Sequence, residues 1–369
     1  MAGPTIVFAG GGTGGHLFPA LAIADELRRQ RRDVRIVFIG TRERLEARVV
    51  PQRGYEFRTI WIGGWKRGWS LDHLLFPLKV LVACAQSLIL MTKLKPGVVI
   101  GTGGYVCGPP LFVASLLGIA TVIQEQNSFP GITTRLLATR ATEVHLAFEE
   151  SRRYLRRQDN VFVSGNPTGF RDALSRTDAL QHFRLVAERK TLLVFGGSLG
   201  ASSINRAVAS NLAALRAFGV QLIWQTGEQD FERMNELVRQ HRAHDEEPYV
   251  RVFAFIHRMH EAYSACDLAV CRAGATTLAE LTSLGVPAIL VPYPFAAADH
   301  QRKNAETLVR HNAAVMIEDT RLQEHLLDAV KELLSDEQRR SELARNARAL
   351  GKPQAAETLA RAVLHLAGA

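Results

Sequence analysis

Thr5-Ile-Val-Phe-Ala-Gly10-Gly-Gly-Thr-Gly-Gly-His16 decides how the rest of the chain is read. A short run of β-forming residues ends in glycines, and apolar residues at helical spacing follow over 16–31. A buried strand that turns through glycines into a helix is the opening unit of a parallel α/β sheet. Glycines let backbone N–H groups approach an anion, and the helix N-terminus adds partial positive charge. Gly10, Gly12 and Gly15 also satisfy the G-x-G-x-x-G pattern of dinucleotide sites. Such a site needs an acidic residue after the second strand to hold a ribose. Here that strand runs into Gly40-Thr41, so a nicotinamide cofactor is not expected, and no other cofactor is called for.

Outward from this turn, strands are expected at 34–39, 98–100, 121–123 and Glu143–Leu146, with a second helix at 74–94. The pattern restarts after Gly165-Asn-Pro167. Strands are expected at Thr191–Phe195, 220–224, Val250–Phe253, 267–270 and 288–291, with helices at 202–218, 231–241, Ala275–Leu284 and 299–310. The 369 residues thus divide into domains at 1–164 and 165–350, with a C-terminal helix at 351–369 packing back on the first domain. Each domain reads as a doubly wound α/β sheet, whose ligands bind beyond the carboxyl ends of the strands.

Composition narrows the partners. Hydrophobic residues make up 47%, enough for two cores, and the net charge of +9 suits an acidic partner. Zinc-finger spacing and runs of five basic residues are absent, so nucleic acid is not expected. The N-terminus has neither the basic start nor the long apolar core of a signal peptide. The charge-free stretch at 80–92 falls short of the ~20 residues of a membrane span. The stretch at 96–124 is broken by glycines and prolines into strand, turn, helix and strand. Four cysteines, none in a C-x-x-C pair, read as free thiols of a reducing compartment.

Further motifs fall at strand ends. Phe195-Gly-Gly-Ser-Leu-Gly-Ala201 is a second glycine turn, and without a following G-K-[ST] it is not a P-loop. The two turns suggest two phosphorylated ligands, one per domain. In Cys271-Arg-Ala-Gly-Ala-Thr-Thr-Leu-Ala-Glu280, a helix opens after Gly274 with Glu280 about one turn in. That carboxylate either bonds vicinal ribose hydroxyls or is a solvated, dipole-favoured surface group. Asp299, His300 and Gln301 suit sugar hydroxyls, although Asp299 is equally a helix N-cap. Gln124-Glu-Gln-Asn127 and the nearby Tyr105 bring polar groups to the first sheet's edge. His16 is either a proton acceptor for a sugar hydroxyl or a helix-end packing residue. D-x-D is absent, so no metal is expected on a diphosphate.

Gly11-Gly-Thr-Gly-Gly-His16, Gly103-Gly-Tyr105, Glu125-Gln-Asn127, Gly165-Asn-Pro167, Gly196-Gly-Ser198, Arg272, Gly274 and Asp299-His-Gln301 occur in this order in one family. In this the chain resembles the MurG family of N-acetylglucosaminyltransferases over nearly its whole length. The resemblance implies a GT-B fold, an α/β arrangement of two doubly wound Rossmann-like domains facing a central cleft. The N-terminal domain would serve the acceptor and membrane side, and the C-terminal domain UDP-GlcNAc. It implies inverting transfer of GlcNAc from UDP-GlcNAc to the C4 hydroxyl of the MurNAc of lipid I. The β-1,4-linked product is lipid II, for peptidoglycan synthesis. Ser198 would bind donor phosphate, and the Ile256 backbone would read uracil. Ala275, Thr276, Thr277, Leu278, Ala279 and Glu280 would hold phosphate and ribose, with Glu280 on the ribose. His300 and Gln301 would read the GlcNAc hydroxyls. Thr13, Gly14, Gly15 and Asn127 would line the cleft from the first domain and contact the donor, Thr13, His16, Tyr105, Glu125 and Asn127 would lie on the acceptor side, and His16 is the candidate general base. Many members carry Arg where Gly169 stands here, with Arg171 two residues on, which leaves the diphosphate clamp open.

A lipid-linked acceptor implies a peripheral protein on the cytoplasmic face of the bacterial membrane. Trp61-Ile-Gly-Gly-Trp65-Lys-Arg-Gly-Trp69 combines tryptophans with basic residues, as suits an anionic headgroup layer. In the helix that follows, Leu74, Leu75 and Leu78 are candidate membrane contacts, with Leu81 on the face of Leu74 and Leu78. The alternative is that this face is core. The competing functions are a transferase of the same fold acting on another lipid, such as a diacylglycerol, and a non-catalytic UDP-sugar binder.

Overall fold

The computed structural model describes residues 3–63, 72–169, 174–197, 199–241 and 249–368, and only the backbone at 72–74. The chain forms two compact units, Met1–Gly169 with Lys352–Ala369, and Phe170–Gly351.

The first unit is built on strands β1 (Thr5–Ala9), β2 (Arg35–Gly40), β3 (Glu56–Thr59), β4 (Val98–Gly101), β5 (Ala120–Glu125), β6 (Glu143–Leu146) and β7 (Val161–Val163). Among the described residues these form one sheet in the order β3-β2-β1-β4-β5-β6-β7, parallel throughout. Strand alternation divides the core. Ile6 and Phe8 face α1 (Gly14–Gln30), whose Leu17, Leu21, Ala24 and Leu27 are buried at helical spacing. The C-terminal helix Ala355–Leu366 packs on α1 and adds Leu359, Ala360 and Val363 to that core. Val7 and Ala9 face the opposite layer, with Met91 of α3 (Asp72–Leu94) and Leu111 and Ala114 of α4 (Gly108–Leu116). Helix α2 (Leu45–Gln52) lies between β2 and β3.

The second unit holds β8 (Thr191–Phe195), β9 (Gln221–Gln225), β10 (Val250–Phe253), β11 (Leu268–Cys271), β12 (Ala288–Leu290) and β13 (Val315–Met316). Its order among the described residues is β10-β9-β8-β11-β12-β13, again parallel. In both sheets the chain order reverses beside the first strand, at β1/β4 and at β8/β11. Crevices at such switch points are where open α/β sheets bind ligands.

Three expectations change. The helix expected at 202–218 is two helices, Ser202–Ser210 and Leu212–Ala217. They are parted at Asn211, whose side chain bonds the Ala207 carbonyl at 2.8 Å. The edge strand Glu56–Thr59 and the very short β7 and β13 are not among the expected strands. Gln124 and Glu125 are the buried last residues of β5, not a loop after it. The four cysteines are free.

Candidate active site

In the first unit, the turn after β1 and the turn after β4 press together at the switch point. His16 stands in the first turn of α1, behind Thr13 at its N-cap. Gly14 and Gly15 open the helix, so their amides have no partner within it. The ring of His16 lies on the β4 turn so closely that a Cβ on Gly103 would sit 2.5 Å from Nδ1. A Cβ on Gly104 would stand 2.8 Å from the Gly11 carbonyl, so both positions need glycine. Tyr105 covers Gly12, with ring carbon Cε1 3.6 Å from where a Cβ would be. Gln126, fully buried after β5, meets His16 Nδ1 through Oε1 at 3.0 Å.

Two carboxylates support these turns. Glu46 of α2 is 1% exposed. It accepts the Gly12 N–H at 2.9 Å, the Thr41 N–H at 3.1 Å and the Thr41 hydroxyl at 2.7 Å. An anion of the protein itself therefore occupies the glycine turn that read as a phosphate site. It takes only the Gly12 amide of that turn, and the amides of Gly14 and Gly15 stay without a partner in the helix. An acidic group does sit at the end of β2, but it faces backbone amides and not a ribose. Glu125 is likewise engaged. Oε1 accepts from the Asn127 amide at 3.1 Å, and Oε2 accepts from the Gly131 amide at 3.0 Å and the Thr134 hydroxyl at 2.7 Å. Read as an acceptor-side group, Glu125 instead braces the loop that carries Asn127, whose carbonyl takes the Ser151 hydroxyl at 2.8 Å.

In the second unit, the glycine turn after β8 lies against the turn after β9. A Cβ on Gly200 would fall 2.0 Å from the Thr226 carbonyl. Gln225 ties this turn to the next strand end: Nε2 donates to the Gly197 carbonyl at 2.8 Å, and Oε1 accepts the Ile256 N–H at 2.7 Å. The Ile256 amide is thus engaged within the protein. Helix Ala275–Leu284 follows Gly274, carries no acidic residue in its first turn and has the Thr276 hydroxyl buried without a partner. Leu278 is in the core and its amide bonds the Gly274 carbonyl at 3.0 Å, so neither group reaches a ligand. Glu280, one turn further, accepts the Tyr263 hydroxyl at 2.8 Å. Burial pushes its carboxyl up to about 7 against the pull of that hydroxyl. A solvated surface glutamate would show neither feature.

After β12, Ala298 and Asp299 adopt positive φ of 51° and 54°, a strained turn of the kind found at ligand sites. Asp299 makes no side-chain cap bond and pairs with Arg302 at 3.4 Å. Gln301 Oε1 accepts the Tyr293 N–H at 2.9 Å, and its NH₂ has no hydrogen bond among the described residues. His300 Nδ1 donates to the Ala297 carbonyl at 2.6 Å. Arg272 is buried on the Val291 and Pro292 carbonyls, both at 3.1 Å, and on Asp319. It braces this edge from within. Ser198, Arg171, Trp65 and Trp69, and the side chain of Leu74, lie outside the described residues.

Glu46, Gln126 and Gln225 escape a reading by motif. Each acts on backbone brought close by the sheet, and only Gln126 stands in a polar run that marks it.

Fold and site together define a glycosyltransferase with two parallel-sheet domains. The N-terminal domain model of glycosyltransferase family 28 matches residues 6–146, and the C-terminal domain model matches 191–359. A protein of Chlorobaculum tepidum is 46% identical over 366 residues, 98% of this chain and 99% of its own. One of Salinibacter ruber is 45% identical over 368, 99% of this chain and 97% of its own. Both are described as UDP-N-acetylglucosamine–N-acetylmuramyl-(pentapeptide) pyrophosphoryl-undecaprenol N-acetylglucosamine transferases. The crystal structure of Acinetobacter baumannii MurG superposes with a TM-score of 0.78 at 29% identity, covering 98% of this chain and all of that one. The chain belongs to glycosyltransferase family 28 and, within it, to the MurG family.

Proposed function

We infer that this chain transfers N-acetylglucosamine from UDP-N-acetylglucosamine to N-acetylmuramyl-(pentapeptide) pyrophosphoryl-undecaprenol, the conversion of lipid I to lipid II. The observation that carries this reading is that the identity to such transferases runs through both units, 98% of the chain. The acceptor-serving half is therefore matched along with the nucleotide-serving half.

The residues supply a metal-free route. Glu280 takes the ribose hydroxyls, and the Ile256 carbonyl takes a uracil N–H. The first amides of helix Ala275–Leu284, at Ala275, Thr276 and Thr277, stabilise the charge that develops on the departing diphosphate. Ser198 completes the phosphate side, while the Ala279 amide, a full turn inside the helix, is taken by the helix's own ladder. The Gln301 NH₂ and His300 Nε2 meet the sugar hydroxyls. In the first unit, Thr13, Gly14, Gly15, Tyr105 and Asn127 shape the acceptor side. His16 removes the C4 hydroxyl proton while that oxygen bonds to the GlcNAc anomeric carbon and UDP leaves. One displacement inverts the centre and gives the β linkage.

Attachment to an anionic bilayer surface fits the same reading. Leu78, Leu81, Leu88 and Ile89 of α3 are 49%, 68%, 44% and 52% exposed, and Leu75 is 45% exposed. Among the described side chains of this helix only Ala83, Ser87 and Met91 are fully buried, so the exposed face is not core. Leu75–Leu94 is long and apolar enough to cross a membrane, in contrast to the shorter stretch read from sequence. It packs instead along α4, which exposes Phe112 and Leu116. Basic groups flank this surface, Lys79 at 5.8 Å from the Trp61 ring and Arg140 at 5.8 Å from that of Phe112. Apolar anchoring with flanking cations is the pattern of a protein lying on a bilayer.

Radiolabelled UDP-N-acetylglucosamine incubated with a lipid I analogue tests the reaction, with chelator and with a diacylglycerol acceptor as arms. Label on the lipid I analogue, retained in chelator, is expected. Label on diacylglycerol alone, or binding without turnover, would overturn it. A folded Leu78→Ser/Leu81→Ser variant should lose cosedimentation with anionic vesicles, and undiminished cosedimentation would remove this face.

A further inference from the structure

We propose that Gln126 is a positioning residue that keeps the proton of neutral His16 on Nδ1 and so makes Nε2 the basic nitrogen. The proposal rests on the reading of His16 as general base for its catalytic consequence, and on hydrogen-bond chemistry alone for the tautomer.

Backbone carbonyls fix the direction of the Gln126 amide. Its Nε2 lies 2.7 Å from the Thr102 carbonyl oxygen and 3.1 Å from that of Gln124. Carbonyl oxygens only accept, so the NH₂ must face them. The flipped amide would set oxygen against oxygen at both contacts. The Gln126 oxygen is therefore the atom 3.0 Å from His16 Nδ1. An amide oxygen also only accepts, so Nδ1 must donate. In a neutral imidazole one nitrogen donates and the other accepts, which leaves the lone pair on Nε2. Nε2 has no hydrogen bond among the described residues.

The support extends one layer deeper. Gln126 also donates to the side-chain oxygen of Gln124, whose own NH₂ donates to Asn166 Oδ1 at 3.2 Å. Gln124, Gln126 and Asn166 are all buried, and the Gln126 NH₂ sets the direction of the Gln124 amide, which in turn sets that of Asn166. The ring is seated as firmly, because Gly103 leaves the room that a Cβ would take 2.8 Å from its Cε1.

The choice of an amide matters. A carboxylate at this place would also hold the proton on Nδ1, but would stabilise the imidazolium as well. The amide selects the tautomer without placing a charge on the base. Histidine in water prefers its proton on Nε2, the nitrogen that must be bare to take a proton from the acceptor.

The test is nitrogen NMR of the full-length enzyme labelled with ¹⁵N-histidine, with the His16 signals assigned by their loss in His16→Gln. Above its titration, His16 should carry its proton on Nδ1. In Gln126→Met, an apolar side chain of similar length, the Nε2–H form should gain population. In the lipid I assay, kcat should fall about tenfold, the factor set by one ordinary hydrogen bond, with KM for UDP-N-acetylglucosamine within about twofold. A wild-type His16 protonated on Nε2, or a tautomer unchanged in a folded Gln126→Met, would overturn the proposal. If that variant does not fold, the wild-type spectrum alone decides. Failure of the base reading is separable, since it would appear as near-normal turnover in His16→Ala whatever the tautomer.

Discussion

The glycine turns after β1 and β8 occupy the same topological place and hold different things. In the first unit Glu46 fills the turn, accepting from Gly12 and Thr41. In the second, Gln225 braces the turn through the Gly197 carbonyl, and no acidic residue stands in the first turn of the helix that follows it, Ser202–Ser210. The same strand–glycine–helix motif is thus braced by a carboxylate in one sheet and by an amide in the other. The difference divides the labour. In the proposed reading the carboxylate-braced turn is the platform for His16, while the donor takes the first amides of helix Ala275–Leu284 in the second unit.

The largest effect should come from the platform's one reactive group. His16→Ala should lower turnover by roughly 10²–10⁴-fold with donor affinity nearly unchanged. Single-turnover kinetics checks this, and loss of donor affinity instead would move the histidine to the donor side. Removing the support is a smaller perturbation. Glu46→Gln leaves a buried backbone donor facing an NH₂ group, at a cost of about 1–3 kcal/mol in stability. Denaturant unfolding reads this, and an unchanged midpoint would mean that the carboxylate does not hold the turn.

The mildest test is pH. With the Glu280 carboxyl at about 7 in the free protein, and the ionised form accepting the ribose hydroxyls, UDP affinity should fall as pH drops below neutrality. The limit is about tenfold per pH unit. Tyr263→Phe removes the hydroxyl that opposes the shift, so the midpoint should move to higher pH. A flat affinity profile would take the ribose contact away from Glu280. The same shift lowers folding stability as pH rises from the ordinary carboxyl range toward about 7. The folded state there binds a proton that the unfolded chain has released.

Much of this was legible in the residues, for definite reasons. Strand–glycine–helix order announces both sheets, because a buried strand needs apolar runs and its exit needs glycine. His16 and Glu280 stand out because each lies early in a helix that a strand-exit glycine opens, and Gln301 because polar residues follow a buried strand. Glu46 was not, since its partner Gly12 lies 34 residues away and only the β1–β2 pairing brings them together. The role of Gln126 depends on the Thr102 carbonyl, which no side-chain pattern records. The Glu56–Thr59 strand is polar and at the sheet edge, so periodicity does not mark it. The outward face of α3 was ambiguous because an apolar stripe reads as core until burial is known.

Calorimetric titration of UDP into wild type, Glu280→Ala and Glu46→Gln tests the division of labour most directly. The loss of a charge-assisted contact of ~1.5–3 kcal/mol should weaken UDP roughly 10–100-fold in Glu280→Ala. In folded Glu46→Gln the UDP affinity should equal that of wild type. Weakened UDP binding in Glu46→Gln with normal binding in Glu280→Ala would place the nucleotide on the first glycine turn and contradict the account.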